Sequence, residues 1–534
     1  MSALRGFEVA NSMSEGTGIE VPRSFQPDAD TVLIASTARY IEYPASARAF
    51  TSNSTSQIII PQHQSRYLLG GTTFLNFRCT VSATATVARE VAAGAGRYNA
   101  ASYFTGGPTK SAAALVDRIT VAAANGQVLA DIPNYAQWHN LVLLHMANEN
   151  YRSTASISEN AFTCIANGTT LCSTFAVNTN TTLEASGSVD IQLPLALGLF
   201  NEVKAFPLWA LNGPLIITIQ WASAERSIGI TEMIYVPDLS IGIDKSSHIY
   251  WGNQSGPAIS VPVVSYSGSD LSLRVKCVDV DIDYINQQRQ QMMQGKFLTF
   301  NYKQVQNLVM TAGGASLSFG VNCSSLLSVF GVTQLNTQQS VISPSVKGTG
   351  SAQSGTWGFT SNNMQNIRVF SDGMQLTTFP LLQDGKDDAF VPLQEAVGTL
   401  FSTTTGTMCR KYCGAGIGTN GSGTAIDVPT AHDNYRLCQG YFLQLGGATH
   451  FPIPPVWQYD QGYGPGSIYA PNGYAWGVSA RMCNDTEIAN KGTRCSQLQI
   501  TIDSGASNSG SHYLYYLYSC SVSFDGAGNV IVRR

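Results

Sequence analysis

Residues 119–133, ITVAAANGQVLADIP, decide the reading of this chain, because residues 367–380, IRVFSDGMQLTTFP, repeat their pattern. In each copy an Ile-x-Val strand runs into Asn125-Gly126 or Asp372-Gly373, and a short apolar strand then passes Leu129 or Leu376 to a closing proline. A tight hairpin turn needs positive φ, which glycine adopts without a Cβ clash and which Asn and Asp tolerate, so both stretches predict the same β-hairpin. The separation Gly126 to Gly373 is 373 − 126 = 247, and Leu129 to Leu376 and Pro133 to Pro380 are also 247 apart.

Other anchors keep nearly that spacing and the same order. Gly70-Gly71 lies 243 before Gly313-Gly314, Cys79 lies 244 before Cys323, Phe206-Pro207 lies 245 before Phe451-Pro452, and Cys277 lies 243 before Cys520. The pattern predicts two copies of one β-domain in tandem. The expected division is an N-terminal arm at 1–56, a first β-domain at 57–297 and a second at 298–534.

A chain of 534 residues exceeds what one core supports. Charged residues are only 12%, hydrophobic residues 44%, and the 50 glycines are joined by abundant Ser, Thr, Asn and Gln. Solubility through neutral polar groups leaves broad surfaces able to meet another protein without desolvating many charges. The net charge is −4 and no run of clustered Lys or Arg occurs, so nucleic-acid binding is not supported. The opening MSALRGFEVANSMSEG has no apolar core behind Arg5, so no secretory signal is expected. No apolar stretch is long enough to span a bilayer. Eleven scattered cysteines, several inside apolar strand patterns, fit buried reduced thiols in a protein made in a cytosol.

Along the chain, residues 1–56 lack sustained periodicity and predict an extended arm. The first domain opens at Gln57-Ile58-Ile59-Ile60-Pro61, and Asn134 to Asn148 carries Tyr135, Trp138, Leu141, Val142 and His145 at helical spacing. Pro392 to Phe401 is the shorter counterpart, with Leu393, Ala396, Val397 and Leu400 as its stripe. Polar excursions are expected at Tyr151 to Gly187, Gln334 to Ser361, Cys409 to Thr430 and Gln458 to Tyr474. Leu271 to Tyr284 closes the first domain, and the Gln-rich connector Ile285 to Gly295 follows.

Tandem β-domains of about 240 residues, each with one helix after an internal hairpin and long outward loops, resemble the double jelly-roll major capsid proteins of polinton-like viruses, virophages and adenovirus-like relatives. The resemblance covers the chain after the arm. It rests on the duplication, on the Phe-Pro-rich approach to PLIITIQW at 214–221, and on the strand Val275 to Tyr284 with its Gln-rich connector. It implies an all-β fold of two tandem eight-stranded jelly rolls, with a short helix in one loop of each and long surface loops. The implied function is that of a non-enzymatic major capsid protein, which trimerises into pseudo-hexagonal capsomers and meets neighbouring capsomers, penton proteins and minor capsid proteins in a virion.

Signals for chemistry in the sequence are weak beside that resemblance. Gly416, Gly418 and Gly421 satisfy a dinucleotide-loop spacing, but Ser, Thr and Gly surround them in place of a strand and a helix. Cys409 and Cys413 could hold a disulfide or two metal ligands, but no second closely spaced pair lies within the usual zinc spacing, and His432 with Cys438 is the best complement. Asp279, Asp281 and Asp283 alternate as on one strand face, where loop carbonyls would have to join them to hold calcium. His139 and His145 lie near no triad in sequence. The expectation is therefore no catalytic, cofactor-binding or metal-ligating residue, and no cofactor. A second class of function, a two-sandwich carbohydrate-binding or carbohydrate-cleaving protein, would use aromatics between Trp457 and Trp476 to stack on sugars.

Overall fold

A computed structural model describes residues 36–87, 101–108, 111–147, 151, 158–159, 181–235, 249–250, 263–295, 297–311, 315–335, 359, 364–377, 379, 381–382, 390–398, 443–445, 448–450, 475–481, 492–504 and 510–534. The first strand set is β1 (Ser36–Pro44), β2 (Phe50–Thr51), β3 (Thr55–Ile60), β4 (Arg66–Leu69), β5 (Phe74–Val87), β6 (Ala101–Pro108), β7 (Val116–Ala123), β8 (Val128–Pro133), β9 (Thr181–Pro194), β10 (Ala205–Pro207), β11 (Leu215–Trp221), β12 (Ile228–Tyr235), β13 (Ile249–Tyr250) and β14 (Val263–Val280). The second is β15 (Leu298–Thr311), β16 (Ala315–Leu335), β17 (Met364–Ser371), β18 (Met374–Gln375), β19 (Leu381–Leu382), β20 (Leu443–Leu445), β21 (Ala448–His450), β22 (Trp476–Ser479), β23 (Thr493–Ser504), β24 (Gly510–Phe524) and β25 (Val530–Arg533).

Pairing resolves the first set into eight lanes. β1 and β2 flank different parts of β14 and form lane one. β3 is lane two. β4 and β5 meet successive parts of β14 on its other side and form lane three. β7, β8, β9, β11 and β14 are lanes four to eight. One sheet then runs in the order one, eight, three, six, and the other in the order two, seven, four, five. This is the jelly-roll arrangement, in which every connection but the hairpin from lane four to lane five crosses between two packed sheets.

The second set repeats it. β15 is lane one, β17 and β18 are lanes four and five, and β22, β23 and β24 are lanes six to eight. The single strand β16 serves as two lanes. Residues 315–326 pair with β23 as lane two, while residues 326–335 pair with β24, and 328–331 with β22, as lane three. The orders one, eight, three, six and two, seven, four, five are both recovered, and the chain is a double jelly roll.

Alternation builds each core. Along β3 exposed and buried residues alternate strictly, and Ile58 and Ile60 point inward with Ile217, Ile219, Ile119 and Val121. The facing sheet contributes Leu75, Phe77, Cys79, Leu273, Val275 and Cys277. Phe50 stacks on Trp221 with ring centroids 3.6 Å apart, and Phe77 meets that indole edge-on at 5.6 Å, so lanes one, three and seven share one aromatic knot. Each such side chain contributes about 2 kcal/mol through area removed from water.

The duplication survives residue by residue in the lanes. Across lanes two, seven and four the first barrel sets Ile58, Ile217 and Val121 in a row, and the second sets Leu317, Ile500 and Val369. Ile119 opposite Ile219 matches Ile367 opposite Ile502, as the sequence predicts. Cys277 and Cys520 both lie on lane eight. Other anchors fail. Cys79 is on lane three, whereas Cys323 pairs with Cys495 of β23 in lane two, so the similar spacing does not mark equivalent places. Leu376 donates its N–H to Val369 O, so it stands opposite Val369 as Ala130 stands opposite Val121; the pairing slips by one from Leu129. Gly313-Gly314 and Phe451-Pro452 lie outside the described residues.

The two hairpins also differ in their turns. Gly126 N–H bonds to Ala123 O at 2.9 Å, Gly126 alone has positive φ (80°), and the register shifts between Val121 and Ala122. That is a three-residue loop closed by a glycine bulge. Ser371 instead pairs directly with Met374, and Asp372 (φ 49°) and Gly373 (φ 80°) form a two-residue turn with both φ positive. The extra residue accounts for 367 − 119 = 248 beside 373 − 126 = 247.

The expected arm needs correction. Residues 36–44 pair with Ser272–Val280 along their whole length, and Phe50 is buried in the core, so the chain joins the first barrel well before residue 57. β1 is almost wholly exposed on both faces, and its partner lies some 240 residues away, so no local pattern betrays it. Residues 1–35 lie outside the described residues. β9 begins at Thr181, inside the expected polar excursion ending at Gly187. The remainder of that excursion, apart from Tyr151, Ser158 and Glu159, and the excursions 336–358, 409–430 and 458–474 are outside the described residues.

Two helices fall where periodicity puts them, with shifted ends, and a third forms from the polar connector. α1 (Tyr135–Leu141) continues through a wider turn to Met146, α2 (Ile282–Met293) takes the connector, and α3 (Phe390–Val397) starts two residues before Pro392. Among the described residues no helix is long and apolar enough to cross a membrane.

Candidate functional site

In a protein built this way the feature to locate is the seam that fixes one barrel against the other. It starts at Pro133-Asn134, where lane five ends. Asn134 takes a left-handed conformation (φ 51°), which turns the chain abruptly into α1. Its side-chain amide donates to Asn307 Oδ1 at 2.7 Å, and its carbonyl accepts from the Tyr515 hydroxyl at 2.9 Å. One residue set thus ties the end of lane five to β15 and β24. Tyr302 of β15 donates to Leu129 O at 2.5 Å, with burial holding its phenol far above the usual range and hence protonated.

Apolar contact surrounds these bonds. Trp138 of α1 lies 5.4 Å from the Tyr515 ring and 6.5 Å from Phe330, with its indole N–H donated to Ala196 O. Buried Gln137 reaches Gln334 at 3.3 Å. Farther along, Phe206 meets Phe524 edge-on at 5.8 Å. At Gly198 the backbones approach so closely that a Cβ would sit 1.8 Å from Lys303 O. Next to it Glu202 accepts from Lys303 N at 2.7 Å and pairs with Lys303 Nζ at 3.0 Å. Buried residues of both barrels form one contiguous apolar cluster. Trp138 and Tyr135 were legible as a helix stripe; Asn134, Tyr302, Asn307 and Tyr515 were not, because nothing local marks a polar residue that pairs across 173 or 381 positions.

The residues singled out for chemistry fall elsewhere. Asp279 does lie on a strand, but Arg66 grips it in a bidentate pair at 2.6 and 2.9 Å, and Arg39 adds a contact at 3.3 Å. Hydrogen bonding by Arg66, opposed by burial and helped by the charges of Arg66, His63 and Arg39, holds its carboxyl below the usual range. The strand ends at Val280. Asp281 caps α2 by accepting from Asp283 N, so the three carboxylates do not share a strand face, and no group of three or more metal-binding side chains occurs among the described residues.

His139 gains a partner that sequence proximity misses. Its Nε2 lies 2.6 Å from Glu159 Oε2, and Tyr151 donates to Oε1 of the same carboxylate at 2.5 Å. Burial pushes the Glu159 pKa up, but attraction and hydrogen bonding from His139 and the Tyr151 bond outweigh it and lower it overall. Tyr135 lies 3.3 Å from Nδ1, yet burial raises its phenol and its oxygen already accepts from Ala196 N, so this is a closed internal brace and not a nucleophile with its base. Trp476 is fully buried over Gly331 and unavailable to stack on a sugar. Gly416, Gly418, Gly421, Cys409, Cys413, His432, Cys438 and Trp457 lie outside the described residues.

No protein-family model matches the sequence, and no curated protein matches it. Solved structures do align along nearly all of it. A chain of the Sputnik virophage, from a cryo-EM structure, aligns at 12% identity and a TM-score of 0.49, covering 96% of this chain and 92% of that one. The Faustovirus major capsid protein aligns at 10% identity and 0.45, covering 97% and 94%. The mavirus major capsid protein aligns at 13% identity and 0.42, covering 96% and 95%.

Proposed function

We propose that this chain is the major capsid protein of an icosahedral virus, a structural subunit that trimerises into pseudo-hexagonal capsomers. The observation that carries the reading is the repetition of one eight-lane barrel within a chain, the two copies locked by a polar and aromatic seam. A shell needs near-sixfold tiles, and a threefold ring of two-barrel chains presents six similar wedges. That solution works only if the angle between barrels is fixed, which is what bonds such as Asn134 to Asn307 and the Gly198 approach to Lys303 support.

On this reading the domains divide at the connector, with the second barrel from residue 298 and the first taking in β1 and β2. The protein resides in the virion shell after synthesis in a host-cell cytosol, and its partners are itself, neighbouring capsomers, penton proteins and minor capsid proteins. Light scattering on purified protein should give three times the 57.1 kDa chain mass, and imaging of expressed protein should find hexagonal tiles or closed shells. A monomer that persists at micromolar concentration would overturn the reading.

A further inference from the structure

Two cysteines face each other inside the second barrel. Cys323 of β16 and Cys495 of β23 are direct partners in the antiparallel register, both buried and both free thiols. Their bridge is isolated: the β16–β23 register shifts between Gly320 and Cys323 and again between Cys323 and Leu326. Asn322 beside it has a positive φ of 47°, and Asn322, Ser324, Arg494 and Ser496 are all exposed. A short bridge between two bulges is held by few ladder bonds and opens more readily than the strands around it. The thiols are also unlike. A hydrogen bond from Cys323, helped by the Ser371 hydroxyl and opposed by burial, brings Cys495 down to about 7, while Cys323 is raised. Cys79, by contrast, is pushed up to about 12 by burial, and the thiols of Cys277 and Cys520 are raised as well.

We propose that Cys323 and Cys495 close a reversible cross-strand disulfide by exchange with a low-molecular-weight disulfide such as glutathione disulfide. The Cys495 thiolate attacks one sulfur of the oxidant, forming a mixed disulfide and expelling one thiolate. Cys323 then gives its proton to solvent and attacks Cys495 Sγ, expelling the second thiol. Two protein thiols are oxidised, one small disulfide is reduced to two thiols, and the protein loses two hydrogens. The bridge staples the place where β16 leaves one sheet for the other, closing a loop of 495 − 323 = 172 residues. A reducing cytosol keeps it open, and an oxidising exterior closes it.

The test uses the whole purified chain. It is incubated with glutathione disulfide, denatured in an alkylating agent and mapped by peptide mass spectrometry. The expected result is a Cys323–Cys495 linked peptide that dithiothreitol reverses, with the melting temperature raised by about 5 °C while the bridge is closed. Cys323→Ser should stall at a mixed disulfide on Cys495, and Cys495→Ser should leave Cys323 unmodified. Recovery of both wild-type cysteines as alkylated thiols, or a bridge between other members of the eleven while these two stay free, overturns the proposal.

Discussion

The two barrels reach the same topology by different routes, and the corner between lanes two and three displays the difference most clearly. In the first barrel the chain leaves lane two at Ile60, turns through residues 61–65 and starts lane three as a new strand, β4. In the second it never stops: β16 runs 21 residues and changes sheets through register shifts. Bonds across the lanes differ too. Lane eight of the first barrel is clamped by charges, with Asp279 between Arg39 of lane one and Arg66 of lane three. In the second, neutral phenols join lane eight to lane one, Tyr518 to Gln304 at 2.8 Å and Tyr516 to Gln306. What the copies share is the inward-facing row of each lane, because only that row must fill a common core.

The seam is where this comparison breaks most severely. Trp138→Ala should cost about 4 kcal/mol by cavity formation and split one thermal transition into two, one per barrel, in calorimetry. A single transition at a lower temperature would mean that the barrels do not depend on this side chain for their coupling. Within the second barrel, Gly331→Ala places a Cβ 2.2 Å from the Trp476 ring. It should cost about 3 kcal/mol in urea unfolding. Gly268→Ala, whose Cβ would fall 2.0 Å from Phe50, is the first-barrel counterpart and should lose a similar amount.

The hairpins give a finer contrast. Gly126 and Gly373 share a φ of 80° and have open space where a Cβ would go, so Val at either should cost about 1–3 kcal/mol through backbone strain alone, with nearly additive losses. Their neighbours should differ. Asp372 holds a positive φ and accepts backbone N–H groups from Ser496 and Gln497, so Asp372→Ala should cost about 2 kcal/mol. Asn125→Ala should cost under about 1 kcal/mol, since Asn125 has no such φ, accepts one backbone N–H, from Gln127, and donates only a long bond of 3.5 Å to Val530 O. Equal losses at these two positions would argue that the turns are the same type after all.

Acid supplies a similarly small effect. The folded-state pKa of Asp279 is depressed, so its clamp contributes fully above the unfolded carboxylate range and is lost as pH falls through the folded value. The contribution is roughly 1 kcal/mol given its partial exposure. Below pH 5, protection factors taken against the intrinsic exchange rate at each pH should fall at Cys277–Asp279 before they fall at Tyr516–Tyr518 of β24, and Asp279→Asn should remove the difference.

How much of this was readable in the sequence follows from range. The hairpins were legible because turn chemistry and strand alternation are local, and the Ile119 and Ile367 match survived because their rows face the cores. Cys79 against Cys323 misled because spacing along the chain says nothing about which lane a residue enters once one corner has a turn and the other a bulge. β1 was missed since an exposed edge strand carries no periodic signal, and Glu159 because a buried carboxylate in a polar stretch reads as surface until His139 is placed beside it.

The uninterrupted run of β16 has a mechanical consequence. A strand that belongs to both sheets passes tension from one face of the barrel to the other through covalent bonds, whereas across the first barrel's corner the same tension must travel through a bend at residues 61–65 that straightens before it pulls. The second barrel is accordingly the stiffer half of the chain and the first its compliant half, so that under load strain collects in the first. Single-molecule pulling with handles placed on lanes two and three of each barrel would read this as a longer extension before rupture in the first.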